Sequence, residues 1–545
     1  MRTIRKRMFP ILFLCLVHGY GFPQHENCRI SFDPATLMIN GRGNASMIKP
    51  GDTICLLGGN RLYLWFSYLH GTRETPIVIQ NIDGQVSVSE WYYGIKIDSC
   101  SFIKFAGSGD PAITYGFYLH DIDGAGLSIE GLSTDIEIER VEVNNATLTG
   151  IFAKTDPSCS FTSTRDKYMM RNLSVHDNFF HNTGMEGMYI GHTSYTGVTI
   201  NCNGKDTLVY PHLIRGLKVY NNRIENTAWD GIQISSADSG CFINNNLVLN
   251  YADAVYWNQM TGIMNGGGSR CDCFNNIVKD GKGDGIDIFS LGNQHFYNNL
   301  IVNAGRSNPD IREKHGFYVG DGSTISGSSF EIFYNTIISP RTDGVKFNNY
   351  LSENNLISNN IIIDPGDKYI VITDQSMPVV IENNYFNQGF DEIAFMDYSH
   401  GNFDLKPASP AVNTGTNIPD FQLNYDVLLR SRPFAAYNDR GAYECHDSSL
   451  LSVPETGSKS FAIISFYPNP AYNQFTIEYF LAQPGDVTLV IRSIMGEEMI
   501  KKSTGMQLSG RFSMQVDVSG IVDGLYFCTF ETKTITITQK LVVLK

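Results

Sequence analysis

Along most of the chain, short alternating apolar runs are punctuated by paired asparagines at a near-constant interval. The phrase occurs at Val219–Ile224, Ile243–Val248, Cys273–Val278, Phe296–Ile301, Ile357–Ile362 and Ile381–Phe386, with variants at Val175–Phe180 and Phe333–Ile338. Its second asparagine falls at 222, 246, 276, 299, 360 and 384, a unit of 23 to 24 residues with longer intervals read as that unit plus an insertion. A second phrase keeps step with the first. Gly187, Gly231 and Gly285 each lie nine residues after Asn178, Asn222 and Asn276, and open strands with apolar residues at alternate positions: Met188 and Ile190, Ile232 and Ile234, Ile286 and Ile288. Gly150, Gly262, Gly316 and Gly344 open similar segments. Short alternating strands separated by Asn and Gly turns predict an all-β, parallel β-solenoid, each strand paired with the coils above and below and burying one face. The repeated asparagine needs no functional reading. Stacked inward at a bend, its amide can bond the equivalent asparagine one coil away.

The pattern changes after residue 445. Residues 446–460 are polar and irregular, a linker, and beyond them strand-like segments at Gln474–Tyr479, Val487–Ile491, Ser513–Val518, Tyr526–Phe530 and Ile535–Val543 predict a small β-sandwich. At the other end, Arg2, Arg5, Lys6 and Arg7 precede the apolar stretch Met8–Val17, with Gly19 and Gly21 before a cut at Phe22. Residues 1–21 therefore read as a signal peptide, too short in its apolar part to span a bilayer, and no transmembrane segment is expected in the mature chain.

The net charge of −14 narrows the partners. The leader is basic and the C-terminal block has equal numbers of acids and bases, so the acidic excess sits in the solenoid. Such a body repels phosphate backbones, which excludes nucleic acid as a partner. Cys241 and Cys271 each lie two residues before an Asn-Asn phrase, at equivalent places on successive coils, and are expected to form a disulfide. Cys159 and Cys202, in loops after neighbouring strands, form a second candidate pair.

The repeats resemble the right-handed parallel β-helix superfamily that includes pectate lyases, polygalacturonases and chondroitinase-B-like or alginate lyases. Pro50-Gly51-Asp52-Thr53-Ile54, Gly71-Thr72 and Pro76-Ile77-Val78-Ile79 resemble its first coil. Phe403-Asp404-Leu405, Ser409-Pro410-Ala411, Arg432-Pro433 and Gly441-Ala442-Tyr443-Glu444 resemble a closing segment of secreted members, so that residues 22–445 form the helix with its cap and closing segment. The C-terminal block, from Tyr467-Pro468-Asn469-Pro470-Ala471 through Gly524-Leu525-Tyr526 to Leu541–Lys545, resembles a type IX secretion sorting domain over 461–545. That resemblance implies export through the periplasm, handling by the type IX machinery, and a secreted or cell-surface location. The fold hosts many functions and does not itself name one.

Candidate chemistry comes from aligning the Gly-led strands. One outward column reads Phe152, Tyr189, Gln233, Asp287, Tyr318 and Lys346, and the residues before the glycines read Thr149, Glu186, Asp230, Asp284, His315 and Asp343. Aromatic rings stack on sugars while carboxylates and amides bind hydroxyls, so this face is read as a polysaccharide groove. Insertions at about 155–169, 193–214, 251–259 and 305–314 are expected to wall it. Phe152, Glu186, Tyr189, Trp229 and Gln233 are the candidate substrate-binding residues, and Lys154, Asp230, Asp284 and Asp287 the catalytic candidates. A lyase would use Lys154 as base, with Glu186, Asp284 and Asp287 holding calcium. A glycoside hydrolase would use two of Asp230, Asp284 and Asp287, while a binding or adhesive surface protein needs only the groove. Asn226-Thr227-Ala228-Trp229-Asp230-Gly231 is similar to a polygalacturonase phrase, but its companion motifs are absent. His176, His181 and His192 do not share metal spacing on one strand face. The ligand is expected between Phe152 and Asp287, with Tyr189 and Asp230 both pointing to solvent.

Overall fold

The computed structural model describes residues 28, 30–447, 450 and 461–544, apart from 311, 420, 482, 494–496, 523 and 533–535. The expected signal peptide and most of the expected linker, 446–460, lie outside the described residues. The chain divides into two compact units, one running to Arg432 and taking up 438–444, the other comprising 433–437 and 445 onward.

The first unit is a right-handed parallel β-helix. Each regular coil contributes three short strands, as in Lys218–Tyr220, Arg223–Thr227 and Ile232–Ile234. The first two join a broad sheet that bends at the asparagines, and the third joins a separate sheet of twelve parallel strands from Met38–Asn40 to Ile370–Ile372. Inward residues from all three form one continuous apolar core that includes Val219, Ile224, Ile232 and Ile234.

Both sequence phrases have a stereochemical cause. At the bend, the first asparagine of each pair has a left-handed backbone, with φ of 54° at Asn221 and 55° at Asn245 and Asn275. Asparagine tolerates this region better than most residues. The second asparagine turns inward. Asn222 Nδ2 donates to Asn246 Oδ1 at 3.0 Å, Asn246 to Asn276 at 3.0 Å and Asn276 to Asn299 at 3.0 Å, and the ladder runs on through Asn335 and Asn360 to Asn384. The glycines are required by close approach. A Cβ on Gly231 would stand 2.6 Å from the Gly262 carbonyl oxygen, and one on Gly262 would stand 2.7 Å from that of Gly285.

Cys241 and Cys271 pair across coils with Cα atoms 4.4 Å apart, and Cys159–Cys202 is also a disulfide. A third, Cys28–Cys55, joins the first strands and was not anticipated. The closing-segment phrases meet as a sealed ion pair, with Arg432 Nε donating to Glu444 Oε2 at 3.1 Å and Arg432 Nη1 to Asn298 Oδ1 at 2.8 Å.

The second unit is an antiparallel sandwich of a three-stranded and a four-stranded sheet around its own core of Phe475, Ile477, Leu489, Ile491 and Phe530. Two of its strands escaped the sequence reading, Phe461–Tyr467 and Glu498–Gln507. The second of these buries no residue and so lacks the apolar alternation that marks a strand.

Candidate functional site

The outward face of the twelve-stranded sheet carries the predicted column, with one coil added. Backbone register runs Phe152, Tyr189, Gln233, Met264, Asp287, Tyr318 and Lys346. Met264 thus separates Gln233 from Asp287, and Thr261 separates Asp230 from Asp284. The sequence alignment left out this coil, although Gly262 was recognised as opening a strand.

The acids at the edge of this sheet have a shared structural task. One oxygen of each accepts a backbone N–H from the next coil: Asp230 Oδ1 from Thr261 at 2.7 Å, Asp284 Oδ1 from His315 at 2.6 Å, Asp343 Oδ1 from Lys368 at 3.1 Å. The second oxygen of each holds a side chain of the site. Asp284 Oδ2 accepts from Lys314 Nζ at 2.7 Å, and Asp343 Oδ2 lies 3.1 Å from His315 Nδ1. With the Gln259 amide turned so that its nitrogen faces the acids, it donates to Asp230 Oδ2 at 3.0 Å, Glu186 Oε1 at 3.1 Å and Gln233 Oε1 at 3.2 Å.

Asp230 therefore does not point to solvent. It is 0% exposed, because the 251–259 insertion lays Gln259 over it. Glu186, Gln233, Asp284, Asp287 and Lys154 are buried as well, while Phe152, Tyr189 and Trp229 are half-buried. Burial, the neighbouring Glu186 charge and the Asp287 charge push the Asp230 carboxyl well above its usual range. Burial, then Asp284, does the same to Asp287, whose Oδ2 accepts from Thr261 Oγ1 at 2.6 Å and whose Oδ1 has no partner. Burial pushes Glu186 up to about 7, with Oε2 unpartnered. Burial opposes the charge on Lys314, but Asp284 and Asp287 outweigh it and raise the ammonium pKa.

A groove of about 600 Å³ opens over the C-terminal part of this face. Its floor includes Met264, Asp287, Tyr318 and Lys346, and its walls include Trp257 and Arg312. The 251–259 and 305–314 insertions flank it as expected, but none of the residues lining it comes from 155–169 or 193–214. Those two insertions are tied to each other by Cys159–Cys202 and by Arg165 Nη2 donating to Tyr195 O at 2.6 Å. Lys314, His315, Tyr318 and Lys346 come together here. Only the last three stood in the aligned columns, and none was singled out. His315 stacks on Tyr318 with centroids 5.9 Å apart, and Lys346 pairs with Glu313.

The remaining sequence candidates gather one step away. Lys154 Nζ lies 5.1 Å from the Phe152 ring and 5.0 Å from the Tyr189 ring, and pairs with Asp156 at 2.8 Å. Trp229 stacks on the exposed Tyr256 at 4.6 Å.

The expected calcium trio does not fit. Asp284 is engaged by Lys314, Asp287 is held toward its neutral form, and Glu186, Asp284 and Asp287 do not converge among the described residues. Ligand atoms do converge at Glu313, His315 and Asp343, and at Glu137, Glu139 and His176. The second cluster forms across coils, where spacing along one strand cannot reveal it, and it already holds Lys104, 2.8 Å from Glu137.

Two family models match the chain: residues 254–405 match the right-handed β-helix region, and residues 465–544 match the secretion-system C-terminal sorting domain. The sorting domain marks the chain for type IX export to the cell surface or beyond. Among the described residues no helix is long and apolar enough to cross a membrane. No curated protein matches in sequence. Among solved structures, an alginate lyase from a Paenibacillus species is 14% identical with a TM-score of 0.40, covering 59% of this chain and 99% of that one. A PL6 family polysaccharide lyase from Pseudopedobacter saltans is 15% identical with a TM-score of 0.28, covering 68% and 96%. These likenesses are too distant to assign a role to any residue.

Proposed function

We propose that this chain, a right-handed parallel β-helix protein exported with a type IX sorting domain, cleaves an acidic extracellular polysaccharide by β-elimination in the groove over Asp287 and Tyr318. The observation that carries the reading is His315 held by Asp343 beside Lys314 and Lys346. With Nδ1–H donated to Asp343, the Nε2 lone pair of His315, which faces the Glu313 carboxylate at 3.7 Å, takes a proton from the carbon next to a uronate carboxylate as the sugar displaces Glu313. Lys346, exchanging Glu313 for the sugar, and Lys314, held at Asp284, offset the negative charge that then develops on that carboxylate. Asp287, pushed toward its neutral form by burial and by Asp284 and with one oxygen unpartnered, would add a hydrogen-bond donor from the groove floor when it carries the proton. The bond from the neighbouring ring carbon to the glycosidic oxygen then breaks as the carbon–carbon double bond forms, the leaving oxygen takes a proton from water, and an unsaturated sugar is left at the new end. Asp230, Asp284 and Asp343 act as positioning residues, each fixing one site side chain to the coil backbone. Phe152 and Tyr189 offer a stacking surface for the polymer beyond the reacting sugar.

Hydrolysis is the second reading, favoured by the proton-holding carboxyls Glu186 and Asp287. It lacks a free ionised partner, since Asp284 is engaged by Lys314 and by the His315 N–H. The test is incubation with alginate, polygalacturonate and neutral glycans, with and without calcium. The expected result is ultraviolet absorbance from unsaturated ends on a uronate polymer, lowered about a hundredfold or more in His315→Ala. New reducing ends without that absorbance would establish a hydrolase, and binding without either product an adhesive protein.

A further inference from the structure

The outward column of the site sheet continues past Phe152 toward the N-terminus, through Ser128 and Lys96 to Trp65. There the lysine-and-rings arrangement around Lys154 is repeated. Lys96 Nζ lies 5.1 Å from the Trp65 ring and 4.9 Å from the Tyr93 ring. Like Lys154, it is tethered by one carboxylate, Glu130 at 2.6 Å. Two more rings extend the platform into solvent. Trp91, 50% exposed, stacks on Tyr63 at 5.3 Å, and Tyr92, 52% exposed, meets Tyr93 edge-on at 4.7 Å. Single exposed aromatics are ordinary, but two rings on one lysine with two further ring pairs beside them in sequence are not scattered surface. The indole Nε1–H of Trp65 is buried without an acceptor. An unmet donor of this kind is costly unless a ligand or water meets it.

The two clusters share one surface. Burial, followed by the charges of Glu130, Tyr92 and Asp156, pushes the Tyr93 hydroxyl up to about 12. Asp156, the partner of Lys154, is therefore within electrostatic reach of Tyr93. From Lys96 to Asp287 there are six coil steps by register, roughly 29 Å at ~4.8 Å per step.

We propose that Trp65, Tyr93 and Lys96, with Trp91 and Tyr92, form a distal binding site for the same acidic polysaccharide strand that enters the groove. The rings take the C–H faces of pyranose units, and Lys96 takes a ring carboxylate from Glu130. One strand lies along the sheet across both clusters, so the preferred substrate is a polymer rather than a short oligosaccharide. This rests on the reading of the groove as a polysaccharide site, and it adds the requirement for length.

The test uses the full chain with polygalacturonate and alginate as polymers and their tetrasaccharides as short probes. Affinity electrophoresis and calorimetry are applied to the parent, to Trp91→Ala with Tyr92→Ala, to Trp65→Phe and to His315→Ala. The double variant removes two half-exposed rings, so thermal unfolding should be unchanged. Its polymer-to-tetrasaccharide affinity ratio should fall about tenfold. Trp65→Phe, which keeps a ring but removes the donor, should lower the same ratio. His315→Ala should lose product formation without lowering that ratio, which separates the groove from the distal site. A parent that binds polymer while both distal variants keep its affinity ratio would overturn the distal site alone. A parent that binds no acidic polymer would overturn the distal site together with the groove reading.

Discussion

At the residue scale, the acids of the site sheet show how one side chain serves both the backbone and the site. Asp230, Asp284 and Asp343 each accept an N–H of the next coil with one oxygen and fix Gln259, Lys314 or His315 with the other. Glu186 is different, because its Oε2 is buried and unmet. An acid whose folded pKa is raised binds its proton more tightly in the folded chain, so its stabilising contribution is complete below the unfolded value of 4.5 and is lost as pH rises through about 7. Glu186→Gln keeps the acceptor for Gln259 and removes that titration. It should flatten the fall in stability across this window and stabilise the chain above it by on the order of 3 kcal/mol. Thermal melts from pH 4 to pH 8, about the range spanned by the shift, check this.

At the scale of a coil, the first and second asparagines of the repeated phrase do unlike work. Asn246 Nδ2 donates to Asn276 Oδ1 and, at 2.9 Å, to Val219 O, while its Oδ1 accepts from the backbone and side chain of Asn222. Asn246→Ala strands those groups inside the core and should cost about 3 kcal/mol or more. The exposed Asn221 contributes chiefly its left-handed backbone, so Asn221→Ala should cost about 1 kcal/mol. Denaturant unfolding of the two variants side by side measures the difference, and equal losses would contradict the division. Both asparagines were visible in the repeat because stacked coils demand the same residue at the same station. The edge strand Glu498–Gln507 was not visible, since it buries no residue.

At the scale of the molecule, two separate cores make two separable tasks. The solenoid core and the sandwich core share no residue. Deleting 461–545 should leave the helix folded, with an unchanged thermal transition for that unit, and leave the protein in the periplasm. Cell fractionation followed by circular dichroism tests this, and a truncated chain that reaches the surface normally would refute the role given to the tail. What the sequence by itself determined was everything that repeats: the coil length, the Asn ladder, the Gly-led strands, the Cys241–Cys271 pairing and the change to a sandwich near residue 461. Repetition is legible because each coil meets the same neighbour, so stacking imposes one residue type per station. Only the tertiary structure decided what the insertions do. Gln259 is carried by one loop onto Asp230, 29 residues away in sequence, and Lys314 by another onto Asp284, 30 residues away. Those encounters turned a supposed solvent-facing row of acids into a buried one, and left a cavity open over Asp287, Tyr318 and Lys346. Burial and pKa are properties of what lies opposite a side chain, and an irregular loop leaves no period from which to read that.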